Sequence, residues 1–325
     1  MASTSELPPL ILIAGATATG KTALAMELAR RIEAAEIVSA DSRQVYRGMD
    51  IGTAKATAAQ RAAVAHHGLD LADPDERFTA ADYRRAALAA LEGIAQRGRV
   101  ALLVGGSGLY LRSIAHGLPL DRGDADATIR SRLEARFEED GLGPLVAELQ
   151  ERDPAGAERI DRRNHRRVIR ALERAILSGS ASPPLPQGYP APSRWLGLAR
   201  EPADHRRAIE RRAREQFATG LLEEAGQLRA RYPEDLPAFS AMGYREAFDV
   251  LAGRRDVEQA ALTDARRTWA YARRQGTWFR SEPDITWLAE GEGLVARAMA
   301  VLTPFLQDAV PERGIVAVIG PNQLG

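Results

Sequence analysis

The chain has 325 residues, 45% of them hydrophobic, enough for one large domain or for a core with a smaller appendage. Its 44 basic and 44 acidic residues balance, and it has no cysteine, which excludes disulfides, thiolate catalysis and cysteine-ligated zinc and fits a reducing cytoplasm. No apolar run approaches the roughly 18 residues of a membrane span, and the opening M-A-S-T-S-E-L-P-P lacks the basic and apolar regions of a signal peptide, so a soluble protein is expected.

The first predicted element is a short apolar strand, L-I-L-I-A (10–14), followed by G-A-T-A-T-G-K-T (15–22) and a helix-forming run over 23–31. G-x-x-x-x-G-K-[ST] is a phosphate-binding loop. Gly15 and Gly20 let the backbone of Ala16, Thr17, Ala18 and Thr19 wrap an oxyanion, and the following helix points its positive end at it. Lys21 adds a point charge, and the Thr22 hydroxyl can ligate Mg²⁺. A second strand, E-I-V-S-A (36–40), ends at Asp41, where D-S-R-Q-V-Y-R-G-M-D-I-G-T-A-K begins. His66 and His67 come before a turn and have no third partner at metal-ligand spacing, so packing or hydrogen bonding is expected of them.

Residues 78–97 read as a helix with Thr79 as its N-cap. V-A-L-L-V (100–104) reads as a strand buried on both faces, and G-G-S-G-L-Y-L-R opens another helix. Alternating strands and helices predict a parallel α/β sheet of the phosphate-loop NTPase type, with ligands at the carboxyl ends of the strands. Gly15–Thr22, Asp41–Gln44 and Gly105–Ser107 all fall at such ends. Beyond Pro119 a turn-rich connector, D-R-G-D-A-D-A, leads into helices without strand signal up to about 179. Residues 182–193 hold five prolines and read as loop; R-W-L-G-L-A (194–199) reads as a returning strand. The rest is expected to be helical, broken at Gly220 and Gly243. The division expected is a core of residues 1–120 and 186–325 with a helical insertion at 121–185. The tail after Pro311 has no assignment.

Three arginine-rich stretches stand out against the zero net charge. Six arginines and one acid lie between Arg159 and Arg170, five and one between Arg206 and Arg214, and Arg266, Arg267, Arg273, Arg274 and Arg280 follow. One such stretch is a solvated helix face; three suggest basic surfaces for polyanions.

Taken in order, the phosphate loop, D-S-R-Q-V-Y-R-G-M-D-I-G-T-A-K, L-L-V-G-G-S-G-L-Y, R-V-I-R-A-L-E, M-G-Y-R-E and R-R-Q-G-T-W-F-R resemble the tRNA dimethylallyltransferase family of bacterial type, over residues 10 to 305. Four positions depart from the family's usual residues: Ala16 stands for a proline, Ser107 for a threonine, Arg166 for a glutamine and Arg273 for a lysine. None of them removes a chemical group that the reaction needs.

The resemblance implies transfer of a dimethylallyl group from dimethylallyl diphosphate to the N6 amine of the adenosine 3′ of the anticodon in tRNA. Catalysis is then expected from Lys21, Thr22 with Mg²⁺, and an arginine of the second cluster. Arg207 ranks first there, ahead of Arg211 and Arg212. By the same resemblance Asp41 is the general base, the other reading being a carboxylate that orders Mg²⁺ water. The implied tRNA contacts are Asp41, Ser42, Arg43, Gln44, Ser107, Arg130, Arg166, Arg167, Val168, Ile169, Arg170, Ser240, Ala241, Met242, Gly243, Tyr244 and Arg245. Trp269, Tyr271 and Trp278 read as core aromatics. A monomer is expected, with no membrane partner. The rival readings are a phosphate-loop small-molecule or nucleotide kinase, which leaves Asp41–Lys55 unexplained, and an adenine-nucleotide isopentenyltransferase, which has no need of the insertion. A non-catalytic RNA-binding module is a third, disfavoured by intact Lys21, Thr22 and Asp41.

Overall fold

The computed structural model describes residues 7–309 apart from 33, 121–126 and 184. The turn-rich connector, up to residue 126, and the tail after Pro311 lie outside the described residues. The chain divides into two compact units, one comprising His116–Gly188 and the other the residues on either side of it.

The larger unit is built on β1 (Leu10–Gly15), α1 (Lys21–Arg31), β2 (Ala35–Ser39), α2 (Ala58–Ala63), β3 (His66–His67), α3 (Ala80–Gln96), β4 (Val100–Gly105) and α4 (Gly108–Ala115). The smaller unit holds α5 (Ala127–Asp140), α6 (Leu142–Arg152), α7 (Pro154–Glu158) and α8 (His165–Ser178). The larger unit resumes with β5 (Ser193–Ala199), α9 (Pro202–Ala218), α10 (Leu221–Arg229), a 3-10 turn at Pro237–Ser240, α11 (Tyr244–Leu251), α12 (Val257–Phe279), β6 (Ile285–Ala289) and α13 (Leu294–Ala309).

Its strands form one parallel sheet in the order β3-β2-β4-β1-β5-β6. Alternate residues of β1 serve two cores. Leu10, Leu12 and Ala14 pack with Tyr83, Leu111 and Phe248, whereas Ile11 and Ile13 pack with Leu24, Leu28 and Leu302. Both faces of the strand are covered, which is why its sequence is apolar without alternation. Thr79 caps α3 as expected, accepting from the Asp82 backbone N–H while the Asp82 side chain accepts from the Thr79 N–H.

The chain leaves β1 toward β2, passing β4, and leaves β4 toward β5, on the other side of β1. A crevice therefore opens between the carboxyl ends of β1 and β4. Helix alone was expected after residue 199, but Ile285–Ala289 pairs with β5 as an edge strand. With a neighbour on one side only among the described residues, this strand is short and partly exposed, and it leaves little pattern to read.

In the smaller unit, Leu133, Leu145, Leu149, Val168 and Leu172 form a separate core. Asn164 caps α8 by accepting from the Arg167 N–H at 3.2 Å, and Gly179 ends it with φ 75°. The segment 121–185 expected as an insertion falls inside this unit.

Candidate active site

The phosphate loop is held from outside as well as within. Gly15 has φ 152°, and a Cβ there would lie 2.9 Å from the Leu198 carbonyl oxygen. The Thr19 hydroxyl and the Lys21 ammonium both donate to the Ala16 carbonyl, at 2.8 and 2.6 Å. Thr17 meets three side chains from distant helices. Its N–H donates to Gln275 Oε1 at 2.9 Å, its carbonyl bonds His205 Nε2 at 2.7 Å, and its hydroxyl accepts from Arg212 at 3.2 Å. Gly20, at φ 90°, leads into α1, and Thr22 is exposed on the first turn.

Asp41 follows β2 and accepts the Arg43 N–H at 2.8 Å. The loop after β4 buttresses it: Ser42 N–H donates to the Ser107 hydroxyl at 2.9 Å, and Ser107 N–H to the Ala40 carbonyl at 3.2 Å. Any Cβ at Gly105 would sit 2.0 Å from that carbonyl, so the approach needs glycine. The Arg43 guanidinium reaches the Pro237 carbonyl at 3.0 Å and the Ser240 hydroxyl at 2.9 Å, bringing the Asp41 turn and the Ser240 segment together.

Lys21, Arg212 and Asp41 form one electrostatic group. Burial pushes the Lys21 ammonium down to about 8, Asp41 opposes that shift, and Arg212 reinforces it. Burial also lowers Arg212, against the pull of Asp41 and Asp264. Both desolvated cations feel Asp41 and both bond the phosphate loop, which is suited to an anion. Tyr83 stacks on Tyr110 with centroids 3.8 Å apart, and the Asp41 charge reaches both rings and Tyr271.

Several expected site residues lie elsewhere. Arg207 is exposed and pairs with Asp204 on its own helix; Arg211 is exposed too. Arg212 is the arginine at the loop, because α9 buries the face carrying His205, Ala208, Ile209 and Ala213. Val168 and Ile169 are in the core of the smaller unit, so their side chains do not form a surface. Arg130 donates to the buried Glu173 at 2.8 Å, and Arg170 lies 3.5 Å from the same carboxylate. Arg166 and Arg167 are exposed. Ala241 and Gly243 are buried, and Tyr244 is buried with its hydroxyl on Glu224 at 2.6 Å; Met242 is half-buried and Arg245 exposed.

The Asp41–Lys55 block proves to be a loop braced both from within and by neighbouring elements. Gln44 accepts from Ser39 and donates to the Thr53 and Ala54 carbonyls. Lys55 is buried between Asp50 and Asp70, at 2.6 and 2.7 Å. Glu224 accepts the N–H groups of Asp50, Ile51 and Gly52. His66 bonds the Val64 carbonyl and His67 bonds Glu36, in keeping with the hydrogen-bonding role expected. Gln275 and His205 were not anticipated. Gln275 lies in R-R-Q-G-T-W-F-R, and His205 stands seven residues before Arg212 on the buried face of α9, which is the signal that could have found it.

Among the described residues no group of three or more His, Asp or Glu gathers as a metal site. A family model described as IPP transferase matches residues 44–282. A protein named tRNA dimethylallyltransferase from Roseiflexus sp. (strain RS-1) is 44% identical over 307 residues, 92% of this chain and 99% of that one. The solved full-length tRNA isopentenylpyrophosphate transferase from Bacillus halodurans is 37% identical with TM-score 0.69, over 93% of this chain and 97% of that one. A eukaryotic dimethylallyltransferase, solved acting on tRNA, shares the fold at TM-score 0.79 and 22% identity, over 94% of this chain and 81% of that one.

Proposed function

The chain belongs to the IPP transferase family, and on that premise we propose that it is a tRNA dimethylallyltransferase. It carries a dimethylallyl group from dimethylallyl diphosphate to the N6 amine of the adenosine 3′ of the anticodon. The observation that carries this reading is that Lys21 and Arg212 both bond the phosphate loop, at the Ala16 carbonyl and the Thr17 hydroxyl, within reach of the Asp41 charge.

The loop's N–H groups, Lys21 and Arg212 hold the diphosphate and neutralise charge as the alkyl C–O bond breaks. The N6 lone pair forms the new C–N bond, and the N6 proton passes to Asp41. Tyr110, backed by the buried Tyr83, and the half-buried Tyr271 shield the alkyl group from water. The exposed Thr22 hydroxyl suits Mg²⁺, which takes few protein ligands and completes its shell with water and phosphate oxygens. When bound, the ion adds neutralising charge to the leaving diphosphate.

Arg166 and Arg167, with Arg162 and Arg163 just before α8, supply an exposed basic surface for the tRNA backbone. On α12, Arg266 and Arg273 stand seven residues apart with no acid three or four positions away. The reaction takes place in the cytoplasm, the compartment suited to a cysteine-free chain. No described helix is long and apolar enough to cross a membrane.

Purified protein given Mg²⁺, dimethylallyl diphosphate and unmodified tRNA should yield an adenosine with the mass of one added dimethylallyl group. Phosphorylated product from ATP without alkylated nucleoside would instead establish a kinase. Arg167→Ala should weaken tRNA binding and reduce the slope of log affinity against log salt by up to about one phosphate contact. The rate at saturating tRNA should hold. Unchanged slope and affinity would remove α8 from the RNA surface.

A further inference from the structure

We infer that Gln275 is a positioning residue for the diphosphate site, through a buried amide that clamps the phosphate loop to the loop after β4. Its Oε1 accepts the Thr17 N–H at 2.9 Å, and its Nε2 donates to the Gly106 carbonyl at 2.8 Å. The residue is 8% exposed and its bond to Gly106 is buried, so water is no ready substitute there. Gly106 leaves the amide its room: a Cβ there would lie 2.4 Å from Nε2.

The clamp spans the two loops that border the crevice, and it uses the Thr17 N–H that could otherwise turn toward an anion. It thereby sets the direction of the peptides that follow. Ala18 holds φ 61°, a left-handed conformation that a non-glycine residue keeps only under constraint. His205 fixes the Thr17 carbonyl and Arg212 the Thr17 hydroxyl, but of these three side chains it is Gln275 that bonds the second loop as well. Without the amide, the Ala16–Thr17 peptide loses its tie to the loop after β4, and its N–H is no longer held in the direction that the loop's anion-binding form uses.

Because this role rests on the diphosphate reading of the site, the probe is inorganic pyrophosphate with Mg²⁺, which needs neither tRNA nor turnover. Gln275→Met keeps the length and removes both bonds; Gln275→Glu keeps an acceptor for Thr17 and loses the donor to Gly106. Pyrophosphate Kd and the KM for dimethylallyl diphosphate should rise about tenfold or more in each. The KM for tRNA should stay within about twofold, which general damage to the fold would not spare. Folded variants that bind pyrophosphate as the wild type does would overturn the inference. Should Gln275→Met fail to fold, Gln275→Glu decides alone. Wild-type protein that does not bind pyrophosphate would instead sink the diphosphate reading itself.

Discussion

Asp41→Asn should lower turnover by about 10²- to 10⁴-fold, the usual contribution of a positioned base. An asparagine oxygen can still accept the Arg43 N–H that Asp41 accepts at 2.8 Å, so the turn keeps its shape. What disappears is the capacity to take the N6 proton. Affinity for tRNA should change little, because the role proposed for this charge is toward the reacting amine and not the RNA backbone. Single-turnover rates and binding measured on the same preparation separate the two effects. Near-normal turnover with a shifted Mg²⁺ dependence would show that Asp41 orders the metal's water shell.

Arg212→Ala should cost about 10²- to 10³-fold in turnover, the scale for removing one donor aimed at developing negative charge. Arg207→Ala should stay within about twofold of wild type, since the Arg207 side chain is 70% exposed and bound to Asp204. Arg212→Lys should recover part of the loss, because it restores a charge without the planar fork. A large effect at Arg207 with none at Arg212 would contradict the register of α9. Steady-state kinetics with saturating tRNA measure all three.

The contrast between these arginines shows where the sequence was legible. The phosphate loop was readable because chemistry demands particular residues at particular spacings. β1 and β4 were readable because burial on both faces leaves an uninterrupted apolar run. Choosing Arg212 over Arg207 needs the buried face of α9, and Ala208, Ile209 and Ala213 mark that face only once the helix boundaries are known. In R-V-I-R-A-L-E and M-G-Y-R-E, adjacent residues were grouped although a helix sends them to different faces. Val168 and Tyr244 belong to those motifs through packing: the Tyr244 ring leaves no room for a Cβ at Gly52. Gln275 was hidden because its partners lie 258 and 169 positions away.

Those separations bear on how the protein is made. β1 leaves the ribosome before the other described strands of its sheet, yet Leu10 pairs with Ala101 on one side and Ser193 on the other. At a synthesis rate of about 5–20 residues per second, β1 waits roughly 10 to 40 s for its second neighbour. Throughout that interval L-I-L-I-A is an apolar segment without its full sheet, a ready target for a chaperone. The Thr17 amide waits longer still, for Gln275 to emerge. A nascent chain released before that point carries the whole phosphate motif and lacks the clamp that shapes it.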